Sequence, residues 1–201
     1  MRIIMIDLNE QTRLLGQVAP ALAALRKEIE EVKASEVPKP LRQIGPIALR
    51  AHDLAMQCTR QAILLSTSQF AVMKDGRESL ALLVEATSQV SFAATLCTFA
   101  IKRHTDVPLH WGADETPTAS RSRLTEACEE LAGAATIFRR QSHRLSYRLA
   151  SAGARRKDEQ LIVQAMIDAA PTPAPAKGSE ATQSQDPAAP SAPPVARRTL
   201  R

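Results

Sequence analysis

The chain has 201 residues, a formal net charge of +5 and a hydrophobic fraction of 44%, but only 3% of its residues are aromatic. A core of Leu, Ile, Val and Ala suits closely packed helices better than a sheet, which favours β-branched and aromatic side chains. The charge permits binding to nucleic acid or to an anionic surface. A single Trp and a single Tyr offer little for base stacking, however, so the composition disfavours a dedicated nucleic-acid-binding protein.

The start of the chain and its cysteines indicate a reducing compartment. The segment MRIIMIDLNEQ has one early Arg, but its apolar run is far too short for a secretory signal. Cys58, Cys97 and Cys128 are widely separated, and no pair of them has metal-ligand spacing. We therefore expect small buried thiols in a reducing compartment, which predicts a cytoplasmic location.

The first predicted helix covers residues 7–35. Asp7 has the residue type of an N-cap, and Glu10 follows three positions later, as in a capping box. Apolar residues then recur every seven positions in a seam that packs helix against helix, namely Leu8, Leu15, Leu22 and Ile29. Pro20 lies inside this seam without changing its register, which predicts one kinked helix rather than two short ones.

The second and third predicted helices cover residues 46–73 and 78–103. The short KDGR turn between them, with Gly76 in the role of a helix C-cap, predicts that the two helices run antiparallel side by side. The third helix is long and apolar enough to span a bilayer. Because Glu85 and Gln89 would then lie in lipid, the pattern favours a buried central helix and no membrane span.

The fourth predicted helix covers residues 120–152 and follows a long connection at 105–118. It repeats the seven-residue seam with Leu124, Leu131, Phe138 and Leu145. Four helices with matching seams predict an all-α, antiparallel four-helix bundle over residues 1–153. Beyond it we predict a short separate helix at 154–169 and, because the composition becomes rich in Pro and Ala, a disordered tail at 170–201.

The long connection and its edge carry residue types that are typical of a divalent-metal site. The candidates are His104, Asp106 and His110, since imidazole and carboxylate groups bind zinc and similar ions. No HExxH, CxxC or calcium-loop spacing accompanies them, and the sequence contains no phosphate-binding or dinucleotide-binding loop. We therefore predict no cofactor and no enzymatic activity, with a metal-dependent helical enzyme as an alternative.

Residues 139–157, RRQSHRLSYRLASAGARRK, form a basic run without any acid before Asp158. Its arginines are Arg139, Arg140, Arg144, Arg148, Arg155 and Arg156. Basic residues late in a helix complement its macrodipole, so a solvated outer face explains most of them without a ligand. The alternatives are contact with an acidic protein or with nucleic acid. Arg139 and His143 also raise a ribonuclease-like alternative, although their separation is shorter than the Arg–His spacing of all-α toxins.

The preferred hypothesis is a small non-enzymatic helical protein that acts through protein–protein contact, as an accessory or regulatory factor. Leu161, Ile162 and Met166 are the predicted contact residues, because they fall outside the register of the common core. The heptad seams are also compatible with a homo-oligomer, since such seams pair within one chain or between chains. The sequence does not name the partner protein.

Overall fold

The described part of the chain is built from six α-helices and one 3₁₀ turn. A computed structural model describes residues 3–34, 40–106 and 116–169. The helices are α1 (Leu8–Ala34), α2 (Pro40–Gln43), α3 (Gly45–Ser66), α4 (Gly76–Asp106), α5 (Thr116–Ala150) and α6 (Ala152–Asp168), and the 3₁₀ turn (Gln69–Val72) lies between α3 and α4. The predicted disordered tail at 170–201 lies outside the described residues, as does most of the long connection.

The longest helix, α5, packs against both α1 and α4. At one end of the α1–α5 pair the Ser142 hydroxyl donates to the Thr12 carbonyl oxygen at 3.3 Å. At the other end the Lys33 ammonium group donates to the Thr125 hydroxyl at 3.2 Å. Early residues of each helix thus meet late residues of the other, so the two helices are antiparallel.

The helix α4 packs between α5 and α3. The Ser120 hydroxyl donates to the Ala100 carbonyl oxygen at 3.2 Å, which places the start of α5 beside the end of α4. His52 Nε2 lies 3.3 Å from the Thr98 hydroxyl, which places the start of α3 beside the same end. The helices α3 and α1 also contact each other, though less extensively, so that α1, α5, α4 and α3 each pack against two neighbours. This arrangement confirms the predicted all-α, antiparallel four-helix bundle.

The core is made from aliphatic side chains. The predicted seam residues Leu15, Leu22, Ile29, Leu124, Leu131, Phe138 and Leu145 are all buried. Along α4 the buried residues are mostly small, which allows its neighbours to approach closely; they include Ala86, Ala93, Ala94 and Ala100. Among the described residues, Gly76–Lys102 is the one helical stretch that is long and apolar enough to cross a bilayer, a criterion that core helices of bundles also meet.

The start of α1 is capped as predicted. Asp7 Oδ1 accepts hydrogen bonds from the backbone N–H groups of Asn9 at 2.9 Å and Glu10 at 3.3 Å. The Glu10 carboxylate binds the Arg13 guanidinium group instead of completing a capping box. Because α1 continues without a break past Pro20, which is exposed, the prediction of one helix is confirmed.

The prediction that the second helix extends to residue 73 is wrong, because α3 ends at Ser66. Two residues later, Ser68 has an extended backbone with a ψ of 176°. Its hydroxyl accepts the Phe70 N–H at 3.2 Å and so caps the 3₁₀ turn. The apolar periodicity continues through this stretch, so the pattern alone does not reveal the break.

An extended N-terminal segment pairs with the residues that follow α3. The Ile4 N–H donates to the Thr67 carbonyl oxygen at 3.0 Å, and the Gln69 N–H donates to the Ile4 carbonyl oxygen at 3.2 Å. The Gln69 side chain continues the pairing, since its Oε1 accepts the Ile6 N–H at 2.9 Å and its amide nitrogen donates to the Ile6 carbonyl oxygen. The Gln69 side-chain amide thus forms with Ile6 the two hydrogen bonds that a backbone peptide group would form in a paired strand.

The turn into α4 differs from the predicted one. Asp75 has a left-handed backbone, with a φ of 59°, which Asp tolerates better than most residues. Gly76 is the first residue of α4 and not a helix C-cap. A Cβ atom at position 76 would overlap the Phe70 carbonyl oxygen, so glycine is needed there for the close approach of two backbones.

The last helix, α6, is docked on the bundle. It contacts α5 and the 3₁₀ turn, and it belongs to the same compact unit, Met1–Ala170. Ser151, between α5 and α6, caps α6 by accepting the Ala154 N–H at 3.4 Å. The prediction of a separate helix at 154–169 is therefore corrected, because α6 starts directly after α5 and folds back onto the bundle end.

Candidate protein-interaction surface

An ion pair between Arg148 of α5 and Asp158 of α6 holds α6 on the bundle. The two side chains are only 15% and 7% exposed, so the pair is largely removed from water. The Asp158 carboxylate also accepts the Lys74 N–H at 3.1 Å, which joins α6 to the turn before α4. Because losing either partner would leave a buried charge uncompensated, this pair is a strong determinant of where α6 lies.

The ion-pair network extends from Arg148 to the start of α4. Arg144 Nη2 lies 3.0 Å from Asp75 Oδ2 and 3.7 Å from Glu78 Oε2. Arg148 Nη1 lies 3.7 Å from the same Asp75 oxygen. Two arginines of the basic run therefore have acidic partners inside the protein. Sequence reasoning missed this network because Asp75 and Glu78 are far from the basic run along the chain.

The other four arginines of the predicted contact set face solvent. Arg139, Arg140, Arg155 and Arg156 are exposed, and the described part of the chain supplies none of them with an ion-pair partner. Arg140 lies ten residues before Ala150, the last residue of α5, which is about 15 Å along the helix axis at 1.5 Å per residue. The basic run is thus divided between an internal network and two separate pairs of free arginines.

The C-terminal half of α6 is apolar on nearly every side. Of the predicted contact residues, Ile162 is half-buried against the core, whereas Leu161 and Met166 are exposed. Val163 and Ile167 are exposed as well and were missed by the prediction. The sequence signal for them is that the apolar residues of LIVQAMI (161–167) do not follow a helical period. A helix that is apolar on all sides is normally buried on all sides, so exposed apolar residues there point to a further contact.

A cleft of about 470 Å³ separates this half of α6 from the bundle end. Its lining is largely apolar and includes Ile3, Val72, Leu80 and Ala165. We call the exposed residues Leu161, Val163, Met166 and Ile167, together with this cleft, the α6 surface. The cleft has the concave, apolar character of a site that receives a side chain or a short segment of another molecule.

A second cleft, of about 430 Å³, lies at the N-terminal end of α6. Lys74, Lys157, Arg144, Arg148 and Tyr147 contribute to its lining. Lys74 and Lys157 are exposed, and neither has an ion-pair partner in the described ranges. The N-terminus of α6 adds the partial positive charge of its macrodipole. We call this second cleft the basic cleft, in which Lys74 and Lys157 are the lining bases without an ion-pair partner among the described residues.

No known protein family, curated protein or solved structure matches the chain significantly. A function for this protein is therefore inferred from the geometry of the α6 surface and of the basic cleft.

The structure describes only some of the residues of the predicted metal and ribonuclease sites. The backbones of His104 and Asp106 form the last turn of α4, but their side chains and the whole of His110 lie outside the described residues. Within the described side chains, no group of three metal-ligand residues comes together. Arg139 and His143 are both exposed on α5.

The three cysteines are free and buried, as the sequence predicts. Desolvation raises the pKa of the Cys58 and Cys97 thiols to about 12. Desolvation also raises the pKa of Cys128, and the nearby Glu30 carboxylate adds to this shift. Each thiol is therefore held in its protonated form, which is the inert form for nucleophilic and redox chemistry.

Proposed function

We propose that this protein is a non-enzymatic helical adaptor that binds another protein through the α6 surface. The single observation that carries the proposal is the exposure of Leu161, Val163, Met166 and Ile167 on one short helix. Isolated exposed apolar residues are ordinary, but four within seven residues of one helix that also lines an apolar cleft are typical of a binding site.

The basic cleft at the other end of α6 indicates the chemistry of the partner. A segment with apolar anchors for the cleft near Ala165 and acidic residues for Lys74 and Lys157 matches both halves of α6. An amphipathic helix with an acidic end has this composition, and helix-in-groove binding is a common mode of recognition. The partner is therefore proposed to be an acidic, amphipathic segment of another protein.

The test is affinity capture with the full chain from the cells that produce it, using Val163→Gln/Ile167→Gln as the variant. Both side chains point to solvent, so their replacement leaves the packing of α6 on the bundle intact, which circular dichroism and thermal unfolding verify. We expect the wild-type chain to capture a protein that stays bound after nuclease treatment. The Val163→Gln/Ile167→Gln variant should no longer capture it.

The matched control is Leu41→Gln, which changes an exposed leucine on α2. It should capture as much of the partner as the wild-type chain. Equal capture by the Val163→Gln/Ile167→Gln variant would contradict the proposal, as would a bound fraction that disappears with nuclease.

A nucleic-acid-associated protein is the second candidate, favoured by the four exposed arginines without ion-pair partners in the described residues, Arg139, Arg140, Arg155 and Arg156. Binding of this kind depends steeply on salt, because phosphate contacts release counterions. Gel-shift titrations with duplex DNA and single-stranded RNA should then weaken on charge reversal at Arg155 and Arg156. Affinity that is indifferent to salt and to charge reversal would exclude this function.

A further inference from the structure

The outer side of α3 carries an apolar row that the bundle does not cover. Leu49, Met56 and Ile63 recur every seven residues and are 69%, 51% and 60% exposed. Leu64 extends the row and is exposed as well. On the solvent side of the adjacent α4, Phe92 is also exposed, although aromatic side chains are scarce in this sequence. The buried side of α3 belongs to the core, so core packing does not account for this row.

Two opposite charges accompany the apolar row. Asp53 and Arg60 are exposed and stand seven residues apart, which places them on the same line of the helix. Neither has an ion-pair partner among the described residues, in contrast to Arg50, which binds Glu28 of α1 at the edge of the same helix. The outer side of α3 thus offers one free acid and one free base beside apolar side chains.

The positions of two residue pairs on this side, Asp53 with Arg60 and Leu49 with Leu64, are self-complementary in an antiparallel arrangement. The midpoint between Asp53 and Arg60 falls between Met56 and Gln57, and the midpoint between Leu49 and Leu64 falls at the same place. A two-fold axis at this point therefore brings each Asp53 opposite Arg60 of a second copy, in both halves of the contact. The same operation brings Leu49 opposite Leu64, with Met56 near the centre.

We propose that a second copy of this chain packs antiparallel on the outer side of α3 and forms a two-fold symmetric dimer. Asp53 and Arg60 pair only across the two-fold axis, so they fix the register and the antiparallel direction of the two α3 helices. Charges that flank the seam of a coiled coil act in the same way. A lipid surface is a poorer occupant, because Asp53 and Arg60 would enter the apolar phase without their partners. This contact is separate from the α6 surface, so dimerisation and partner binding are tested independently.

The test is sedimentation equilibrium on the full chain and on the charge-reversal variants Asp53→Arg and Arg60→Asp. The wild-type chain should be a dimer. Each single variant places like charges opposite one another twice, which should weaken the dimer by about tenfold. An equimolar mixture of the two variants should form a heterodimer, because both cross-axis pairs are then of opposite sign. The double variant Asp53→Arg/Arg60→Asp should recover wild-type association.

The control is Arg140→Asp, the same charge change at an exposed site on α5 that lies outside the proposed interface. It should leave the dimer unchanged. A wild-type chain that stays monomeric up to its highest attainable concentration overturns the proposal. Binding of that monomer to lipid vesicles would then indicate a lipid surface as the occupant instead. The proposal is also overturned by a dimer that Arg60→Asp weakens no more than Arg140→Asp, or by a variant mixture that associates no better than its components.

Discussion

The Arg148 guanidinium group of α5 lies against the Asp158 carboxylate of α6, ten residues further along the chain. The Arg148 Nε atom is also buried but has no acceptor in the described part of the chain, and the same holds for the Gln141 amide nitrogen nearby. Unpaired buried donors cost free energy, so they offset part of what the ion pair contributes. The docking of α6 thus depends on a buried polar contact in which two nearby donors stay unsatisfied.

Replacement of Arg148 by Met should destabilise the protein, because the Asp158 carboxylate would remain buried without its counter-charge. The expected loss in the free energy of unfolding is about 2–4 kcal/mol, measured by urea denaturation. Limited trypsin digestion should also become faster after Arg155, Arg156 and Lys157 as α6 detaches. The double variant Arg148→Met/Asp158→Leu should recover part of this loss, since it removes both buried charges but leaves the Lys74 N–H without its acceptor.

The matched control for this prediction is Arg140→Ala, which removes an exposed arginine from the same helix. Its effect should stay within about 0.5 kcal/mol. An Arg148→Met variant that is as stable and as protease-resistant as Arg140→Ala would show that the ion pair does not hold α6.

Replacement of Gly76 by Ala should cost about 1–3 kcal/mol, because the added methyl group overlaps the Phe70 carbonyl oxygen and forces the turn away from α4. Gly153→Ala is the comparison, since a Cβ atom there meets nothing within 4 Å. We expect that change to be neutral or stabilising by up to about 1 kcal/mol, because Ala is the better helix former. Thermal unfolding of both variants tests the difference, and equal melting temperatures would contradict the close approach.

The free energy of unfolding should fall as the pH rises from about 9 to about 12. The thiols of Cys58 and Cys97 have an ordinary pKa near 9 and a pKa of about 12 in the fold. The unfolded chain therefore loses these protons first, which favours unfolding over this range. Urea denaturation across the range measures the slope, and Cys58→Ala/Cys97→Ala should flatten it.

Thiol reagents provide an independent check on the same burial. A disulfide reagent at neutral pH should label none of the three cysteines until the protein unfolds, because each thiol is buried. Rapid labelling of Cys58 or Cys97 in the folded protein would contradict the burial of these side chains.

Replacement of Gln69 by Ala should release the N-terminal segment, since it removes both hydrogen bonds to the backbone of Ile6. We expect a loss of about 1–3 kcal/mol in the free energy of unfolding. Hydrogen exchange of the Ile6 amide should accelerate more than that of α1. Gln17→Ala, at an exposed position of α1, is the control and should change neither measurement.

The helices of the bundle could be predicted from the sequence because their signal is local. Seven-residue spacing placed Leu15, Leu22 and Leu131 on buried faces, and Asp7 marked a helix start by its chemistry alone. The end of α3 could not be predicted in this way. The residues that follow this end pair with the extended N-terminal segment, more than sixty residues away along the chain.

The candidate surface could be predicted only in part. Leu161 and Met166 were found because they break the register of the core, but the docking of α6 depends on the burial of Asp158 against Arg148. Helical projection treats each helix alone and cannot show that an acid from another helix meets an arginine. Ile63 and Leu64 of the outer row of α3 suggest a second buried side of that helix, yet both are exposed, because apolar spacing does not distinguish a buried side from an uncovered one.

The pairing of the N-terminal segment with the residues after α3 sets an order of events during translation. Sixty-three positions separate Ile6 from Gln69, which supplies its hydrogen bonds. Ile4 and Ile6 therefore have no partners until α3 and the residues after it have been synthesised. The helix α5, which packs against α1, is synthesised later still, so this pairing can form before the bundle closes.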